Sequence, residues 1–200
     1  MTNVLVTGGA GFLGSRLARE LLAVGSLRTA GGPGRPLTRL TLVDRAPVAA
    51  DLAADERVTA IRGDLADPAC AGWRALAGTD VVFHLAAAVS AECEADFDLG
   101  LRANLGVTQA LLAACRALGT SPVVVLASSL AVFGASAEHP LPAVIDDQTL
   151  PNPQTSYGVQ KFIAEQLLAD YTRKGFLRGR AVRLATVCVR PGRPNQAASA

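Results

Sequence analysis

In "TSYGVQK", residues 155–161, Tyr157 and Lys161 stand four apart, in a chain with two tyrosines and with Lys161 and Lys174 as its only lysines among 19 basic residues. On a helix that spacing puts both side chains on one face. The pair suits proton transfer to and from a hydroxyl. A tyrosine with an ordinary pKa of about 10 is a poor base at neutral pH, and bringing it near 7 takes about 4 kcal/mol. An ammonium about 4 Å away supplies about that much at an effective dielectric of about 20, and the charge of an oxidised nicotinamide would add to it. The bland alternative is an ordinary exposed helix pair.

A second constellation stands at the other end of the chain. "VLVTGGAGFLGSRLARELL" puts a strand, a glycine-rich turn and an amphipathic helix in the order that a dinucleotide requires. Gly8 and Gly11 let the backbone turn tightly and approach a pyrophosphate, and Gly14 permits close helix packing. Phe12 and Leu13 open a helix whose first N–H groups and dipole favour an anion. Asp44, closing "TLVD", can accept both hydroxyls of an adenosine ribose and would repel a 2′-phosphate, which favours NAD over NADP. Its alternative is an exposed acid at a strand end, and Arg45 beside it is able to soften the preference. Asp64 and Leu65, in "GDL", end the next strand where adenine would lie.

These residues need a scaffold, and the chain alternates short β-branched runs with longer segments of helical period, the pattern of βαβ units around a parallel sheet. Strands are predicted at 3–7, 39–44, 57–62, 80–85, 122–127 and 180–187, and helices at about 11–24, 68–77, 92–118 and 155–174. "VVFHLA" and "VVVLA" read as strands covered on both faces. The fold class is therefore α/β, a doubly wound parallel sheet of Rossmann type in one domain over 1–200. The segments 29–38 and 134–153 read as loops from their glycine and proline content.

Composition narrows the partners. Half of the 200 residues are hydrophobic and the formal charge is +2; basic and acidic residues interleave, so nucleic acid is not expected as a partner. No apolar run approaches the roughly 20 residues of a membrane helix, nor does the N-terminus resemble a signal peptide, and a cytoplasmic protein is expected. Cys70, Cys93, Cys115 and Cys188 are too scattered for a zinc pattern with His84 and His139, so no metal is expected and buried free thiols are the simpler reading.

Taken together, "TGGAGFLG", "GDL", "FHLAA", "ASSLAVFG" and "YGVQK" resemble, in order and spacing, the extended short-chain dehydrogenases/reductases across essentially all 200 residues. The resemblance implies that Ser129 orients the substrate oxygen, with Ser128 the adjacent alternative; that Tyr157 is the acid/base; and that Lys161 lowers its pKa while holding the nicotinamide ribose. It implies that Asn104 shapes the middle helix and a proton relay, and that Ala86, Ala87 and Ala88 line the cofactor. His84 ends the same strand, where a satisfied core histidine is the favoured reading over a catalytic one. The family also associates through its two long helices, here about 92–118 and 155–174, which predicts a homodimer, and its members close the site with a further substrate lobe after the point where this chain stops.

Within that family the chain looks most like the branch that oxidises small, four-carbon sugar acids with NAD. Thr186 occupies a position where nucleotide-sugar epimerases commonly carry an asparagine, which counts against a nucleotide sugar. Arg190 and Arg193 follow, and a guanidinium fork suits a carboxylate; Ser90 and Thr186 would meet substrate hydroxyls. A nucleotide-sugar epimerase or dehydratase and a non-catalytic NAD-binding protein are the alternatives.

Overall fold

The computed structural model of the chain describes residues 1–29 and 32–185. In chain order its elements begin with β1 (Thr2–Thr7), α1 (Phe12–Val24), β2 (Ser26–Leu27), β3 (Arg35–Asp44), α2 (Ala50–Ala53), β4 (Val58–Arg62), α3 (Ala71–Arg74) and β5 (Val81–His84). The second half runs α4 (Ser90–Ala95), α5 (Phe97–Gly100), a π-helical turn (Leu101–Gly106), α6 (Val107–Ala117), β6 (Val123–Ser129), a 3-10 turn (Leu130–Val132), α7 (Ser156–Arg173) and β7 (Arg178–Leu184).

The parallel ladder runs β4-β3-β1-β5-β6-β7, with β2 added antiparallel to the start of β3. Period-two alternation divides the strands between two cores. Val4 and Val6 face one layer with Leu40, Leu42, Ala18 and Leu21. Leu5, between them, faces the other with Val82, Val124, Leu126, Leu111 and Leu168. Each fully buried leucine stabilises the fold by about 1.5–3 kcal/mol, and burial on both sides is what a doubly wound sheet demands. Because β1 is paired with β3 on one edge and β5 on the other, the loops after β1 and β5 diverge at the topological switch point. A crevice opens there, at the carboxyl ends of the strands.

The structure departs from the sequence expectations in four places. Part of the 29–38 stretch is strand rather than loop, since β3 begins at Arg35 and pairs with Ser26–Leu27. Pro36 is tolerated there because its partner is a two-residue edge strand. The 68–77 helix shrinks to Ala71–Arg74, its approach being a run of turns in which Asp67 Oδ1 accepts the Ala69 N–H at 2.8 Å. The 92–118 helix is not continuous: Asp96 leaves the helical conformation (φ −138°) to accept the Leu99 N–H at 2.8 Å, and a π turn around Asn104 precedes α6. The last strand is Arg178–Leu184, and the expected end of that strand, 186–187, lies outside the described residues.

Candidate active site

The glycine turn is built by close backbone approach. Gly8 has φ +73°, and a Cβ on it would lie 2.8 Å from the Ala86 nitrogen, so the turns after β1 and β5 touch through it. A Cβ on Gly14 would sit 2.0 Å from the Gly8 oxygen, which brings α1 directly against the turn. Gly11 caps α1 with no side-chain acceptor, and no acidic residue stands in the first turn. The helix therefore presents its N–H groups and the positive end of its dipole to an anion.

Asp44 lies beside that turn. Its Oδ2 accepts the Ala10 N–H at 3.0 Å and its Oδ1 the Ala46 N–H at 2.9 Å, so half of a carboxylate's lone-pair sites are still available for ribose hydroxyls. Arg45 is exposed next to it. Asp64 is exposed and its Oδ1 accepts the Ala66 N–H at 2.9 Å, while Leu65 packs on the core. Gly8, Gly11, Gly14 and Asp44 are thus brought together after β1, with Phe12 and Leu13 opening α1 beside them, and the Ala86–Ala88 turn stands as a wall against Gly8 through Ala86.

A buried polar chain holds that wall. Asn104 Oδ1 accepts the Ala88 N–H at 2.8 Å, and its Nδ2 donates to Gln160 Oε1 at 2.8 Å and to Ala88 O at 3.2 Å. The side chain thereby ties the π turn to both the Ala86–Ala88 turn and α7. The Thr108 hydroxyl donates to the Asn104 carbonyl at 2.6 Å, so it accepts from His84 Nε2 at 2.9 Å. His84 Nδ1 then accepts from the Thr7 hydroxyl at 2.7 Å. Burial, with the Lys161 charge adding to it, lowers His84 to about 3. It is the satisfied core histidine that the sequence favours. Thr7, Thr108 and Gln160 carry no spacing signal in the sequence, because their partners lie on other elements.

The reacting end joins β6 to α7. Ser129 is the last residue of β6, and its Oγ accepts the Ala131 N–H at 3.1 Å. The Ser129 hydroxyl is also near enough to the Tyr157 phenol to act on its ionisation. Ser128, the adjacent alternative, points to the opposite side of the strand, where its hydroxyl donates to Glu165. The neighbour of Tyr157 is therefore Ser129. Thr155 caps α7, accepting the Gly158 N–H at 3.0 Å, and Gly158 allows the helix to approach: a Cβ there would lie 2.1 Å from the Ala131 oxygen.

Lys161 is 4% exposed, lies with its Nζ 5.6 Å from the centre of the Tyr157 ring, and donates to the Ala127 carbonyl at 2.9 Å. Burial lowers it to about 8. The lysine-driven lowering expected for Tyr157 is not what this structure shows. Burial raises the phenol above its usual range, and the nearby Ser129 hydroxyl works against that. The reason is that the phenol sits in a dry pocket, where loss of solvation penalises the phenolate and is the largest influence on it. Ser90 opens α4 and is half-buried; Thr186, Arg190, Arg193 and Cys188 lie outside the described residues. Among the described residues no cluster suits a metal ion, and no helix is long and apolar enough to cross a membrane.

A parallel doubly wound sheet with a glycine-rich turn, a strand-end acid and a Ser/Tyr/Lys cluster at its carboxyl edge defines a dinucleotide-binding protein of the Rossmann class. Residues 4–199 match the NAD dependent epimerase/dehydratase family. The chain belongs to that family, whose cofactor is NAD. It is 54% identical over 198 residues to D-erythronate dehydrogenase of Cupriavidus necator, covering 98% of this chain and 59% of the relative. It is 42% identical to D-erythronate dehydrogenase of Haemophilus influenzae, covering 98% and 58%. Among solved structures, a nucleoside-diphosphate-sugar epimerase from Agrobacterium tumefaciens superposes with a TM-score of 0.88 at 44% identity, covering 99% of this chain and 56% of that one. The chain thus spans about three-fifths of the length of the curated relatives named here.

Proposed function

We propose that these residues form the cofactor-binding and catalytic face of an NAD-dependent dehydrogenase that oxidises the C2 hydroxyl of a four-carbon sugar acid, of the D-erythronate kind, to the 2-oxo acid. The observation that carries the reaction class is the convergence of Ser129, Tyr157 and buried Lys161 at the carboxyl edge of the sheet. The two D-erythronate dehydrogenases, at 54% and 42% identity, support the substrate class.

NAD fits the residues present. The uncapped start of α1 would take the pyrophosphate through the N–H groups of its first turn. Asp44 would accept the adenosine ribose hydroxyls, with Asp64 and Leu65 beside the adenine, and Lys161 has donors beyond the one given to Ala127 for the nicotinamide ribose. When bound, NAD supplies the acceptor for the hydride that leaves C2. Ser129 holds the substrate oxygen and Tyr157 takes the hydroxyl proton as the C–O double bond forms, so two electrons and one proton leave as hydride and one proton leaves through the phenol. The Lys161 ammonium favours the phenolate in that step, and Asn104 keeps the Ala88 wall and α7 in place. Ser90 and Thr186 would meet the substrate hydroxyls, with Arg190 or Arg193 on its carboxylate. We place the enzyme in the cytoplasm, which suits the buried free thiols of Cys70, Cys93 and Cys115.

The test is NADH formation, followed by absorbance, with NAD and D-erythronate beside other aldonates, uronates and a UDP-sugar. The four-carbon acid is expected to give the highest kcat/KM, and Tyr157→Phe to lower kcat by about 10³-fold or more with NAD affinity retained. Activity surviving in that variant would remove Tyr157 as the base. The epimerase relative from Agrobacterium tumefaciens favours a second reading: conversion of a UDP- or dTDP-sugar without net NADH would replace the first.

A further inference from the structure

Lys161 is followed one turn later by Glu165, 6% exposed and doubly anchored. Its Oε1 accepts from the Ser128 hydroxyl, and its carboxylate receives the Arg183 fork, with Nη2 at 2.7 Å from Oε2 and Nε at 3.1 and 3.2 Å from the two oxygens. Ser128 and Arg183 are direct neighbours across the β6–β7 ladder. The same guanidinium lies over the Phe133 ring, 4.9 Å from its centre. Phe133 ends the 3-10 turn whose Ala131 N–H is held by Ser129, and whose Ala131 carbonyl packs against Gly158.

The cluster therefore grips the Ser129 turn on both sides, at residue 128 before it and at residue 133 after it, and fastens both to α7. Tyr157, Lys161 and Glu165 repeat at four-residue intervals along one stripe of that helix. Any axial slip of Glu165 moves the phenol with it, and a bidentate guanidinium-carboxylate pair fixes distance and angle more tightly than apolar packing does.

We infer that Glu165, locked by Ser128 and Arg183, is a positioning residue that sets the axial place of α7 and so holds the Tyr157 phenol against Ser129. The inference rests on the reading that Ser129 and Tyr157 form the reacting pair, yet the contact it predicts is measurable without turnover.

Tyr157 and Tyr171 are the only tyrosines, so in a Tyr171→Phe background a tyrosine labelled with carbon-13 at the oxygen-bearing ring carbon gives one signal, that of Tyr157. Ser129→Ala is expected to shift that signal at neutral pH by removing the hydroxyl beside the phenol. Glu165→Gln, which keeps an acceptor for Ser128 but releases the Arg183 fork, is expected to produce at least half of that shift. Adding Ser129→Ala to Glu165→Gln should then change little more. A Glu165→Gln signal unmoved from the parent, or a full additional shift on adding Ser129→Ala, would overturn the inference. Should Glu165→Gln fail to fold, Arg183→Lys, which keeps the cation and loses the fork, is judged by the same criteria. A parallel turnover assay is expected to show kcat lowered about 10-fold or more by Glu165→Gln at constant NAD affinity. If the parent turns over no sugar acid, the functional reading fails while the carbon-13 result still decides the clamp.

Discussion

At the scale of single residues, the site is held at a cost to stability. Lys161 ionises at about 8 in the folded chain, from an ordinary 10.5, because it is buried. Between pH 8 and 10.5 the unfolded chain holds a proton that the folded chain has released, so this group makes stability rise with pH across that window. Below pH 8 both states are protonated and the cost of burying the ammonium is present in full, about 3 kcal/mol at 1.36 kcal/mol per pH unit. Lys161→Met keeps a long side chain and removes the charge, while leaving the Ala127 carbonyl without its donor. The variant is expected to be more stable than the parent at pH 7, by about 1–2 kcal/mol in urea unfolding, with the gap closing from pH 8 to 10. Tyr157 and Cys115, both raised by burial, act in the opposite sense at higher pH but are common to the two proteins and cancel in the comparison. Turnover should be lost in the same variant, as expected of a site that trades stability for function. A variant less stable than the parent at pH 7 would show that the ammonium is not penalised by its burial.

At the scale of elements, the site depends on how closely α7 approaches the Ser129 turn. Gly158 is the contact point, and a methyl group there would have to displace the Ala131 carbonyl or the helix. Gly158→Ala is expected to lower kcat by about 10²-fold, the effect of a misplacement of about 1 Å, to cost about 1–3 kcal/mol in stability, and to leave NAD affinity unchanged. Unaltered kcat would mean that Tyr157 is not positioned through this contact. The element scale also shows what could be read beforehand. The glycine turn, the strand-end Asp44 and the Tyr157/Lys161 spacing were legible because each rests on local rules of turn geometry and helix period. The π turn in the middle helix was not: Asn104, inside it, is bonded to Ala88 and Gln160, residues 16 and 56 positions away, and periodicity carries no such information. The same holds for the Tyr157 phenol, whose ionisation depends on burial set by α7 and β6 together, and for the β2–β3 pairing, where glycine and proline content concealed a strand.

At the scale of the whole molecule, α7 has a second face. Gly158, Lys161 and Glu165 turn inward, while Val159 and Ile163, one helical turn apart, are 41% and 38% exposed. Exposed large apolar residues aligned on one helix favour covering, and a second copy of this chain is the occupant we propose, through α7 and the α4–α6 segment. That seam would brace the helix from the side opposite the phenol, so association and catalysis would be coupled through α7. Val159→Glu with Ile163→Glu places two carboxylates in the seam, where they would face their counterparts across the two-fold axis. Sedimentation at about 10–50 μM is expected to fall from two chain masses to one. Because both residues are solvent-exposed in the single chain, the thermal stability of the separated chain should change by less than about 1 kcal/mol. The residues proposed for the pyrophosphate and the adenosine ribose, the start of α1 and Asp44, are not on α7, so most of the NAD affinity should persist, whereas kcat should fall as α7 loses its outer support. A parent that already sediments as one chain at these concentrations would refute the seam, and a dimeric double variant would move it to another face of the molecule.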